Sequence, residues 1–134
     1  MKTKYRVLSM LLCMVMLLTM LPVGAMAAEG MGSFKLSKTY ADTFTDVSAD
    51  DWFYYNVKNA YEYGLMKGNS TSIFNPNGNV TLAETITVAA RLHAIYHTGK
   101  ESFSNSDPWY KTYVDYCKTK KIIDVDYAWN QPAT

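Results

Sequence analysis

The chain has 134 residues, with 13 Lys and Arg against 12 Asp and Glu. Three of the basic residues and none of the acidic ones fall in the first 27, which leaves 10 basic against 12 acidic residues, a formal charge of −2. That balance argues against a nucleic-acid partner, which favours a basic face, and with Cys13 in the same leader only Cys117 remains, so the rest of the chain can form no internal disulfide.

In chain order, Lys2, Lys4 and Arg6 precede an apolar run from Val7 to Leu21, and Ala25-Met26-Ala27 follows it. This is the pattern of a secretory signal peptide over residues 1–27. The run is short for a membrane span, and Cys13 lacks the small residues of a lipid-attachment site before it. The expectation is a secreted chain with no membrane contact once the leader is removed. Residues 28–43 are small and polar, with Gly30 and Gly32, and read as a linker, with structure beginning near Phe44.

Ser48-Ala49-Asp50-Asp51 supplies N-cap candidates for a first helix. Trp52, Val57, Ala60 and Tyr61 follow at near-helical spacing. Gly64 is placed to end that helix as its C′ residue. Nothing in the spacing pairs Glu62 with Asp50 or Asp51, so these acids read as a solvated helix face. Leu65 to Asn79 carries Gly68, Pro76 and Gly78 and is a loop. A second helix begins at Thr81. Thr81-Leu82-Ala83-Glu84 fits a capping box, in which each polar end satisfies the other's backbone N–H. Leu82, Ile86, Ala89, Ala90 and His93 share its apolar face, and Gly99 ends it. Gly99 to Ser106 is a polar connector. Cys117 sits where a third helix would bury a small residue.

The chain also repeats itself. Trp52-Phe53, Val57, Ala60 and Gly64-Leu65-Met66 match Trp109-Tyr110, Val114, Cys117 and Lys121-Ile122-Ile123 at a constant offset of 57. Asn77 to Thr81 resembles Asn130 to Thr134 at an offset of 53, so the second loop is shorter by four residues. The expected organisation is one full repeat over 44–99 and a partial one over 107–134 that lacks its second helix. A helical hairpin missing half its partner cannot bury its apolar face alone, which reads as a fragment of a longer array.

Phe44-Thr45-Asp46-Val47, Trp52, Gly64-Leu65-Met66-x-Gly68, Phe74-Asn75-Pro76 and Thr81-Leu82-Ala83-Glu84 together resemble the S-layer homology domain. The resemblance covers about Phe44 to Tyr96, and part of a second copy from Asp107. It implies an all-α fold of helix–loop–helix repeats, packed as a pseudo-threefold bundle when three copies are present. It also implies non-covalent anchoring to a bacterial cell wall or S-layer, through a secondary cell-wall polysaccharide or peptidoglycan-linked glycan bearing a pyruvyl ketal. Further copies of the domain are the other implied partners; no cofactor is implied. Carried over residue by residue, the family's groove points to Asp46, Trp52 and Gly68.

One position departs from the family. Leu82 stands where its T-R-A-E motif has Arg. A guanidinium grips a carboxylate through two parallel hydrogen bonds, and Leu82 offers only apolar contact. What remains is the N-terminus of the second helix, whose free N–H groups favour an anion, with Lys67 as a point charge; the expectation is that this copy binds weakly, binds a different sugar face or is structural.

Each of these residues also has a structural reading. Trp52 and Trp109, at equal places in two repeats, are expected in the core, although a sugar ring would also stack on them. Asp46 suits a turn as well as a sugar hydroxyl. Thr81 and Glu84 read as helix caps, and Gly68 as a source of positive φ. His93 and His97 have the i, i+4 spacing of a zinc helix, but Ala94 stands where the general base would be and no third ligand is evident, so no metal is expected. A calcium loop ending at Glu84 would start at Ile73, where a carboxylate is required. No G-x-S-x-G, P-loop or zinc pattern marks an enzyme.

Overall fold

The computed structural model describes residues 31–133. The expected signal peptide at 1–27, the first residues of the expected linker and Thr134 lie outside them. Among the described residues the fold is all-α. A short 3-10 turn at Met31–Ser33 precedes helices α1 (Tyr54–Glu62), α2 (Leu82–Thr98) and α3 (Lys111–Thr119). One isolated antiparallel bridge joins Thr81 to Pro132. None of these helices is long and apolar enough to cross a membrane.

Helix α1 begins two residues later than Trp52, and Phe53 caps it without a side-chain hydrogen bond. Ser48 and Asp51 close their own turn instead. The Asp51 carboxylate accepts the Ser48 N–H at 2.7 Å, so it is not available to the helix. The end of α1 is where local chemistry puts it, with Gly64 at φ +75.

The segment expected as a linker is packed. Tyr40, only 5% exposed, joins Phe44, Val47 and Val57 in one core cluster. The Phe44 and Tyr61 rings meet edge to face, with centroids 5.3 Å apart, a favoured arrangement of ring quadrupoles. Ser37 N–H donates to the Glu62 carbonyl at 2.8 Å, and Tyr40 N–H to the Glu62 carboxylate at 2.9 Å. Glu62 is therefore buried rather than solvated, with Lys58 Nζ at 3.2 Å as its second partner. The Tyr40 N–H, then Lys58, hold its carboxyl below the usual carboxylate range against the opposing effect of burial. The physical reason for the packed lead-in is that α1 has no helix against its apolar face. Tyr40 supplies that cover.

Helix α2 packs on α3 and on the 3-10 turn. Ile86, Ala90, Tyr113, Val114 and Cys117 form the second core cluster. Cys117 is fully buried, as its position predicts, and burial pushes its thiol up to about 11. The buried face of α2 is Ala83, Ile86, Thr87, Ala90, Arg91, Ala94 and Ile95. It is rotated from the expected one, so Leu82 and His93 lie half-buried at its edge. Arg91 is why the apolar pattern misleads: a charged residue occupies an interior position, held there by two hydrogen bonds and by the nearby Glu101 carboxylate.

Candidate functional site

The loop after α1, the first turns of α2 and two residues on either side of α3, Trp109 and Asn130, enclose a groove of about 650 Å³. Its floor depends on a clasp. The two carboxylate oxygens of Asp46 accept the backbone N–H groups of Phe74 (2.9 Å) and Asn75 (2.7 Å). The Phe74 N–H holds Asp46 below the usual carboxylate range against the opposing effect of burial, and the Asn75 N–H adds to it. Thr45 N–H reinforces the clasp by donating to the Ser72 carbonyl at 2.9 Å. Asp46 thus ties the F-T-D-V segment to the N-P segment and stands behind the groove.

Gly68 lines the groove at φ +83. A Cβ at this position would run into the Phe44 ring, so both backbone and packing require glycine. Lys67 also lines it, with Nζ 2.5 Å from Glu101 Oε1.

The tryptophans are not in the core. Trp52 is 87% exposed, rests edge-on against Phe53 and lies outside this groove. Trp109 is 51% exposed and forms a groove wall. Each precedes its helix by two residues, so its ring flanks the helix face that packs inward rather than sharing it. The offset-57 repeat was the signal that marks Trp109 as the equivalent of Trp52.

The start of α2 is a complete capping box. Thr81 N–H donates to Glu84 Oε2 at 2.7 Å, and Glu84 N–H to Thr81 Oγ1 at 3.2 Å. The expectation that this N-terminus offers free donors to an anion is overturned. Leu82 N–H donates to the Gln131 carbonyl (3.0 Å) and Ala83 N–H to that of Trp129 (2.8 Å). Thr85 N–H returns to the Thr81 carbonyl at 3.0 Å, and Ala133 N–H reaches that of Val80 at 2.8 Å. The loop after α3 crosses the end of the helix and takes its donors. Only backbone carbonyls some 50 residues away do this, and they leave no mark in the side-chain pattern.

Arg91, 8% exposed, escaped the sequence reading. Its Nη1 donates to the Leu65 carbonyl (3.2 Å) and its Nη2 to the Tyr113 hydroxyl (2.9 Å), while Nε lies 3.6 Å from Glu101 Oε2. The guanidinium also sits 5.2 Å from the centre of the Tyr113 ring. It ties the loop after α1, the connector and α3 together behind the groove.

His93 and His97 have ring centroids 4.3 Å apart, and His93 Nδ1 lies 2.9 Å from the Tyr116 hydroxyl. Burial, then His97 and Lys120, push His93 down. Among the described residues no three His, Cys, Asp or Glu side chains gather as metal ligands. A second groove, about 800 Å³ and largely apolar, lies across the molecule between Met31, Leu92, Tyr96 and Ile122.

Residues 43–86 match the S-layer homology domain. The chain is also similar to the "S-layer protein sap" of Bacillus anthracis, 35% identical over 75 residues, which are 54% of this chain and 9% of that protein. The chain thus spans less than a tenth of that relative's length. No solved structure matches it. The matched segment, residues 43–86, holds the Asp46 clasp, Gly68 and the T-L-A-E cap.

Proposed function

We propose that this chain is the wall-anchoring part of a secreted bacterial surface protein and does no chemistry itself. It holds its protein at the cell wall by seating secondary cell-wall polysaccharide in the groove between Gly68, Thr81 and Trp109. The observation that carries this reading is the S-layer homology match over 43–86, because that segment supplies most of the groove wall. The groove is lined by both amide side chains and an aromatic ring, which together suit a sugar. Asp46 and Arg91 keep its walls in register, Lys67 and Gly68 form part of its lining, and Trp109 provides the stacking surface. Trp52 occupies the corresponding place one repeat earlier. The test is sedimentation of the purified chain with cell-wall sacculi: binding is expected with native sacculi and lost when the polysaccharide is stripped. Equal sedimentation with stripped sacculi refutes it.

A second reading, a structural module that docks further copies and binds no glycan, is favoured by the apolar groove at Met31, Leu92, Tyr96 and Ile122. Failure to bind sacculi, together with self-association in solution, would establish it over the first.

A further inference from the structure

The histidine pair on α2 lines no part of the Trp109 groove. One helical turn separates His93 from His97, so both rings project from the same side of α2. Their centres are 4.3 Å apart and their planes are tilted by 41°. Two imidazoles on one metal ion, each with a nitrogen about 2.0–2.1 Å from it, have ring centres roughly 5 Å apart. A small side-chain rotation closes that difference, and His97 is exposed, with room to make it.

A second, independent observation comes from α3. The Tyr116 hydroxyl lies 2.9 Å from His93 Nδ1. Tyr116 is itself held by the Phe103 ring, 5.1 Å away and edge to face, and packs against the core around Cys117. When Nδ1 donates to this hydroxyl, the lone pair of His93 sits on Nε2 and is left for a metal. An outer partner on the second ring nitrogen is what holds a metal-ligating histidine in one tautomer and orientation. Imidazole nitrogens suit Cu(II) or Zn(II), whereas Mg(II) and Ca(II) take oxygen ligands. Among the described residues no third His, Cys, Asp or Glu side chain joins the pair, so the other coordination positions fall to water. Lys120, with Nζ 5.9 Å from the centre of the Tyr116 ring, opposes a cation here. Ala94, in place of a general base, bears on catalysis at a metal and not on its binding.

We propose that His93 and His97 form a surface site for one divalent transition-metal ion, Cu(II) or Zn(II), and that Tyr116 is the positioning residue for His93. The site stands apart from the glycan-binding reading and does not depend on it.

Calorimetric titration of the purified chain, carrying no added histidine tag, with the chlorides of Cu(II), Zn(II) and Ca(II) tests it. One Cu(II) per chain is expected, bound more tightly than Zn(II), with no heat of binding from Ca(II). His97→Ala should weaken Cu(II) binding by at least about tenfold, because the second ring acts at a high effective concentration. His97 is exposed, so this variant keeps the fold, which an unchanged thermal midpoint without metal checks. Tyr116→Phe keeps the ring on Phe103 and should weaken Cu(II) binding by about tenfold through loss of the outer partner. Electron paramagnetic resonance should show two imidazole nitrogens on copper in the wild-type chain and one in His97→Ala. The site is overturned if neither Cu(II) nor Zn(II) binds at one equivalent, if His97→Ala binds Cu(II) as the wild type does, or if Ca(II) binds as tightly as Cu(II). Unchanged Cu(II) affinity and an unchanged copper spectrum in Tyr116→Phe overturn the positioning role of Tyr116.

Discussion

Arg91→Met is the substitution that most directly probes how the groove is held. Methionine keeps the apolar stem and removes the guanidinium. Two charge-assisted hydrogen bonds vanish, to the Leu65 carbonyl and the Tyr113 hydroxyl, each worth about 1.5–3 kcal/mol before the partners relax. The Tyr113 hydroxyl can turn to another partner, and Glu101 keeps Lys67. The two losses share one side chain and do not simply add. A net cost of about 3 kcal/mol follows, near the lower end for breaking a buried charged pair. In a domain of this size that is a fall in Tm on the order of 15 °C. Lys67→Met is the control. Lys67 is half exposed, so its ion pair is screened and worth about 0.5 kcal/mol. Urea denaturation followed by Tyr and Trp fluorescence gives both numbers. A loss below about 1 kcal/mol for Arg91→Met, or equal losses for the two variants, would refute a buried clamp at Arg91.

Three further outcomes follow from the same geometry. Thr81→Ala should cost about 1 kcal/mol in the same assay, and adding Glu84→Ala should cost little more, because one box is being broken twice. Gly68→Ala should cost about 2–4 kcal/mol, from a left-handed backbone and the Phe44 ring together; a neutral effect would contradict the close approach. Asp46 and Glu62 are both held below their ordinary range in the folded chain. The unfolded chain therefore binds more protons in acid, so their stabilisation is present above the unfolded carboxylate range, near pH 4, and is lost as pH falls through the folded values. Denaturation midpoints should be flat with respect to these groups from about pH 7 to 5 and drop below about 4, and Asp46→Asn should flatten that drop.

What was legible in the sequence was what neighbouring residues decide among themselves. The capping box, the helix ends at Gly64 and Gly99, the burial of Cys117 and the all-α class all depend on a few adjacent positions or on one periodicity. Leu82 was legible as a departure from the family motif that the segment resembles. Its consequence was not, because the donors of α2 are consumed by Gln131 and Trp129, whose carbonyls carry no side-chain signature. The lead-in read as a linker because its composition is polar, while one residue, Tyr40, does the covering. Arg91 was hidden for a related reason. Burial of a guanidinium depends on partners on three different segments, and none of them is close in sequence. Trp52 and Trp109 show the limit of reasoning from repetition: equal positions fixed their equivalence, but not whether the pair faces inward.

On the proposed function, wall glycan sits against Trp109 and not against the outer ring of Trp52. This is tested most directly by the affinity of Trp109→Ala and Trp52→Ala for purified sacculi, each compared with the wild-type chain at matched thermal stability. The account predicts a loss of at least about tenfold for Trp109→Ala, the scale of a central aromatic contact, and little change for Trp52→Ala. Full binding by Trp109→Ala, or a loss confined to Trp52→Ala, would contradict it.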